Sequence, residues 1–121
     1  VKELQHKRIL IVEDLPDNRL VLSYILQDLG ALVDEASDGL EALQKIAVST
    51  YDLVLLDIHM PVKSGLEVMA ELKKSGNHPP VVALTATSKF DDEAVQELGF
   101  SSQILKPINP YKLADQIGNL L

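Results

Sequence analysis

The 121-residue sequence predicts an α/β domain, doubly wound around a five-stranded parallel sheet in the order 2-1-3-4-5 with helices on both faces. Three observations carry that expectation. Ile9–Val12, Leu53–Leu56 and Val81–Leu84 are apolar at every position, as strands covered on both faces are. Longer amphipathic stretches with helix start and stop signals separate them. Two further strand candidates, Leu32–Ala36 and Gln103–Leu105, are charged or short, which suits the sheet edges.

The elements follow in order. After the first strand a helix is expected over roughly 16–29, stopping at Gly30. On its wheel Val21, Leu22, Ile25, Leu26 and Leu29 form the apolar face; Leu20 and Tyr24 lie opposite, with Arg19, Ser23 and Gln27. Ser37-Asp38 precedes a helix over roughly 39–48, and Glu41 stands where it would close a capping box on Asp38. Ser64 and Glu67 repeat that pattern before a helix carrying Leu66, Met69 and Leu72. Ser88 is the expected cap of a helix near 89–98 that stops at Gly99. Asn109-Pro110 reads as a cap and first residue of the last helix, whose stripe is Leu113, Ile117, Leu120 and Leu121. No linker or internal repeat interrupts this pattern, so we expect one domain over 1–121 with a leader at 1–7 and no output domain.

Composition narrows the function. The apolar fraction of 46% and charged fraction of 24% are those of a globular chain. A net charge of −7 argues against direct nucleic-acid binding, which needs Lys and Arg for phosphate. Without cysteine there is no disulfide, thiolate zinc site or cysteine nucleophile, which fits a reducing, cytoplasmic setting. No apolar run approaches the ~20 residues that cross a bilayer, so no direct membrane contact is expected.

In a sheet of this order, ligands bind beyond the carboxyl ends of the strands, at the switch point between strands 1 and 3. Strand 1 ends in Glu13-Asp14, strand 3 in Asp57, strand 4 in Thr85 and strand 5 in Lys106-Pro107. Each residue alone reads as ordinary loop or capping chemistry. Together they converge. Clustered carboxylates repel one another and call for a cation. All-oxygen ligands suit Mg²⁺, which keeps part of its water shell. Lys106 and the Thr85 hydroxyl suit an anion beside it. Asp57 is then a nucleophile that forms an acyl phosphate.

These segments, Ile9–Asp14 (ILIVED), Asp52–Gly65 (DLVLLDIHMPVKSG), Val81–Thr87 (VVALTAT) and Leu105–Pro107 (LKP), are similar to those of response regulator receiver domains of two-component signalling. The resemblance covers nearly the whole chain and implies a flavodoxin-like fold. It implies Asp57 as phosphoacceptor, Asp14 as direct Mg²⁺ ligand, Glu13 as ligand through water, and the His59 carbonyl as the remaining protein ligand. Thr85 becomes the switch hydroxyl and Lys106 the phosphate-sensing base, with a cis peptide at Lys106–Pro107. The implied activity is signalling, with self-catalysed phosphoryl transfer to and loss from Asp57. The implied donor is a histidine kinase or histidine phosphotransfer domain, and the implied output is the face of the fourth helix, fifth strand and fifth helix. Leu15 to Arg19 looks like the helix start of hybrid-kinase receivers. With Val1 in place of a methionine, it leads us to expect a receiver excised from a larger protein, such as a membrane-tethered hybrid kinase.

The resemblance has one departure. Many receivers carry Tyr or Phe three residues before the lysine, where this chain has Gln103. Gln103 either hydrogen-bonds in its stead or faces water, as edge-strand glutamines commonly do. His59 either overhangs the acceptor or is a plain loop residue. Leu20 and Tyr24, with Leu15 and Pro16, are expected to help dock a helical phosphodonor. Competing readings are weaker. A phosphorylation-independent interaction module would lack part of the acidic set, which is complete. A haloacid-dehalogenase-type phosphatase wants a second Asp where His59 stands. A flavin site wants a hydroxyl- and Gly-rich loop where Glu13-Asp14-Leu15-Pro16 stands.

Overall fold

The computed structural model describes residues 3–86 and 90–121. Ten elements alternate: β1 (Arg8–Val12), α1 (Pro16–Asp28), β2 (Leu32–Ala36), α2 (Gly39–Val48), β3 (Leu53–Asp57), α3 (Gly65–Ser75), β4 (Val81–Thr85), α4 (Asp92–Leu98), β5 (Ser102–Leu105) and α5 (Leu113–Gly118). All strand pairs are parallel, and the order is β2-β1-β3-β4-β5. The central strands are apolar throughout because both pleat faces are covered. Leu10, Val12, Val54, Leu56 and Ala83 pack with Val68, Met69, Leu72 and Phe100 on one side. Ile9, Ile11, Leu53, Leu55, Val82 and Leu84 pack with Leu22, Leu26, Leu113 and Ile117 on the other. The mixed strands β2 and β5 are the edges, as their charge and shortness foretold. Ahead of β1, Leu4 is buried, and its amide donates to the Leu29 carbonyl at 2.9 Å.

Helix starts differ in detail from the sequence expectation. Asp38 caps α2 by accepting from the Glu41 amide. The Glu41 carboxylate does not return to Asp38; it accepts from the amide and hydroxyl of Ser37, one residue earlier. α3 has the full reciprocal box between Ser64 and Glu67 and ends at Gly76 in the left-handed region. α4 begins at Asp92 under an Asp91 cap, later than the expected 89; Ser88 lies outside the described residues. Asn109 does accept from the Tyr111 amide, and its carbonyl receives the amides of Lys112 and Leu113. That turn leads in, but the regular α5 starts only at Leu113. On α1, Val21 is 58% exposed and Ser23 is buried with Leu22 and Leu26. The buried sector is thus rotated away from the one that apolar residues alone suggest, because the inward face at the strand ends is polar.

Gly65 connects fold to site. A Cβ there would sit 2.3 Å from the Asp57 carbonyl oxygen, so only glycine lets α3 start against the end of β3. Gly65→Ala should cost on the order of 1–3 kcal/mol, read as a lower urea midpoint. Gly118→Ala, where a Cβ meets nothing within 4 Å, should leave the midpoint unchanged or slightly raised.

Candidate functional site at the strand ends

Parallel strands in register end together, so their last residues share one edge. Val12 pairs with Leu56, Asp57 with Leu84, and Thr85 with Leu105. Past Val12, the Glu13 amide still donates to the Ala36 carbonyl, which holds the acidic pair to the sheet. The carboxylates of Glu13, Asp14 and Asp57 offer oxygens that lie within 4.8 Å of one another. Glu13 and Asp57 are buried, at 0% and 2% exposure, while Asp14 is half-buried.

Lys106 makes that burial tolerable. Its ammonium lies 2.8 Å from Glu13 Oε2 and 3.2 Å from Asp57 Oδ2. Asp57 Oδ1 also accepts from the His59 amide at 3.2 Å, and Glu13 Oε1 from the Leu15 amide at 3.4 Å. Burial works against the charge on Lys106. The Glu13 hydrogen bond and the charges of Asp57 and Glu13 outweigh it and hold the ammonium above the usual lysine range. The donor set is all oxygen and carries three negative charges against one lysine. It therefore fits a hard divalent cation of the Mg²⁺ class.

The remaining expected residues divide. Thr85 is buried at the adjacent strand end, but its hydroxyl donates to the Ile104 carbonyl on β5 at 3.5 Å. His59 is an exposed loop residue. The Lys106–Pro107 peptide is cis. Beside Lys106 a groove of about 470 Å³ runs along α1, lined by Asn18, Val21, Leu22, Ala86, Pro107 and Ile108. Leu20 and Tyr24 are 68% and 73% exposed on the same helix.

Two contacts go beyond the sequence expectation. Gln103 does not face water. Its side-chain oxygen accepts from the Phe90 amide at 2.9 Å and its side-chain nitrogen donates to the Phe90 carbonyl. A primary amide matches one residue's backbone pair, so Gln103 ties the approach to α4 to β5. The Arg19 guanidinium donates to the carbonyls of Glu13 and Asp14, at 2.8 and 3.2 Å. A wheel scored by hydrophobicity puts Arg19 on the outer face of α1. At about 100° per residue it falls between Leu22 and Ser23, which are buried, so a wheel centred on Ser23 finds it.

This fold, with an acidic triad and a lysine at its strand ends, defines a receiver-type domain. The chain belongs to the response regulator receiver domain family, whose model matches residues 9–118, and so to two-component signalling. The sensor protein EvgS of Escherichia coli K12 is 38% identical over 101 residues, 83% of this chain but 8% of that protein. The transcriptional regulatory protein DltR of Streptococcus agalactiae is 38% identical over 91% of this chain and 50% of its own length. The chain thus spans half or less of these relatives. Response regulator TrrA of Thermotoga maritima, solved in complex with Mg²⁺-BeF, superposes with a TM-score of 0.85 at 38% identity, over 95% of this chain and 99% of that one. Chemotaxis protein CheY4 of Vibrio cholerae superposes at 0.86 and 28% identity, over 96% and 99%. Among the described residues no helix is long and apolar enough to cross a membrane.

The Lys106 ties have a defined pH signature. A raised pKa in the folded state means stability fully present below the unfolded lysine value and lost as pH rises through the higher folded one. Wild type should therefore exceed Lys106→Gln in urea midpoint by a constant margin from about pH 7 to 9. That margin should shrink only above about pH 10.4.

Proposed function

We propose that this receiver accepts a phosphoryl group from a phosphohistidine onto Asp57, with Mg²⁺ held by Glu13, Asp14, Asp57 and the His59 carbonyl. The observation that carries the reading is the set of three carboxylates within 4.8 Å, two of them buried against Lys106. Bound Mg²⁺ would neutralise charge on the phosphoryl oxygens and orient them. The rest falls to the chain. Asp57 supplies the attacking oxygen, and an O–P bond forms as the donor's P–N bond breaks. Its backbone is locked against Gly65 and its Oδ1 by the His59 amide, so attack requires little reorganisation. Lys106, kept cationic, exchanges its carboxylate partners for a phosphoryl oxygen. The Thr85 hydroxyl leaves the long bond to Ile104 for another oxygen, a second local event that β5 and the Gln103–Phe90 tie carry to α4.

The donor is a histidine kinase or histidine phosphotransfer domain. The groove beside Lys106 and the exposed Leu20 and Tyr24 support a helical partner laid along α1. The homology to sensor protein EvgS supports a place within a larger sensor protein, and the homology to DltR a place within a transcriptional regulator.

Acetyl phosphate or beryllofluoride with Mg²⁺ should modify the wild type and leave Asp57→Asn untouched, as read by intact mass or amide shifts. Equal modification of Asp57→Asn would overturn the reading. Alanine at both Leu20 and Tyr24 should slow transfer from a protein donor by about tenfold or more and spare acetyl phosphate. Equal slowing with both donors removes the docking role.

A further inference from the structure

Arg19 is the one basic side chain of α1, and the acidic site does not use it directly. Its guanidinium nevertheless meets that site from behind. Nη1 donates to the Glu13 carbonyl at 2.8 Å and to the Asp14 carbonyl at 3.2 Å, and Nε lies 3.3 Å from Glu35 Oε1 on β2. The side chain is only 18% exposed, so the contacts are sheltered. The turn it grips is otherwise held by the Glu13 amide on the Ala36 carbonyl and by a long bond from the Leu15 amide to Glu13. α1 opens at Leu15 without a side-chain cap, and Leu15 to Asn18 are exposed.

We infer that Arg19 is a positioning residue for the cation site, fixing the two peptide units that carry Glu13 and Asp14. The inference rests on the Mg²⁺ reading above. Both carbonyls are drawn onto the guanidinium, which fixes the backbone from which the two carboxylates project. The planar group has the right shape for this, since Nη1 spans two successive carbonyls while the Nε edge is held by Glu35. Lysine offers a point charge and cannot hold all three acceptors in one geometry. Glu35 orients Arg19, so β2, an edge strand without a residue at the site, adds an ion pair to the Ala36 backbone bond by which it already holds Glu13.

Charge and position predict opposite signs. A cation behind the site repels Mg²⁺, so if Arg19 acted through charge alone, removing it would tighten binding. If it positions the turn, its loss weakens binding. Groups one shell out from a metal commonly contribute about 10- to 100-fold in affinity. Mg²⁺ demands near-octahedral geometry, whereas Ca²⁺ tolerates irregular coordination, so a loosened turn should penalise Mg²⁺ more.

The test titrates the unphosphorylated chain with MgCl₂ and with CaCl₂, followed by calorimetry and by the Asp14 and Asp57 amide resonances. Arg19→Lys and Arg19→Gln should both weaken Mg²⁺ by about tenfold or more and lower the Mg²⁺/Ca²⁺ affinity ratio. Glu35→Gln, on a half-exposed edge position, keeps the fold and should give a smaller change of the same sign. Arg19→Lys with wild-type affinity and ratio, or tighter Mg²⁺ binding by Arg19→Gln, overturns the inference. Wild type that takes up no Mg²⁺ at Asp14 and Asp57 overturns the reading beneath it instead.

Discussion

Lys106 sits between two buried carboxylates and has a claim on both, at 2.8 Å from Glu13 and 3.2 Å from Asp57. Burying an ionised carboxylate alone costs several kcal/mol, and Glu13 is wholly buried. The lysine is delivered by β5, which is not a neighbour of β1 or β3 in the sheet. Its long stem crosses the end of β4 and ties three strands at their carboxyl edge. One ammonium does not balance Glu13, Asp14 and Asp57. The residual negative charge is the electrostatic ground for a cation, and the guanidinium of Arg19 behind the turn offsets only part of it.

The rigidity of the site and the lightness of its surroundings have separate origins. Asp57, the acidic pair and the lysine stand on or directly after strands that are paired in register, so their positions follow from the core. Gly65 brings α3 into backbone contact with β3 at Asp57. The neighbouring α4 is different. It spans seven residues, buries only Val95 within the helix, and takes part of its anchorage from the Gln103 amide on Phe90. An element that buries one side chain of its own is less firmly held than the strands beneath the site.

Strands and site were legible for the same reason. A two-sided parallel sheet must be apolar along its strands, and polar residues at their ends stand out against that background. Caps written in local sequence, such as Ser64 with Glu67 and Asp38 with the Glu41 amide, were legible too. Contacts of long side chains across elements were not. Gln103 had no visible partner in sequence because Phe90 is 13 residues away, and its amide reads the same whether it meets water or a peptide. Val21 and Ser23 exchanged places because a wheel scored by hydrophobicity assumes an apolar inner face, whereas α1 begins over a polar strand end.

The amino-acid sequence by itself determined the parallel α/β architecture, the strand order and the identity of the residues at the ends of strands 1, 3, 4 and 5, because period and polarity are local properties. Only the tertiary structure decided which charges meet. It put Lys106 on Glu13 as well as Asp57, turned the Thr85 hydroxyl to Ile104, and aimed Arg19 at two carbonyls behind the acidic pair. Those choices depend on helix rotation and on side-chain reach across strands, and neither is encoded within any one segment.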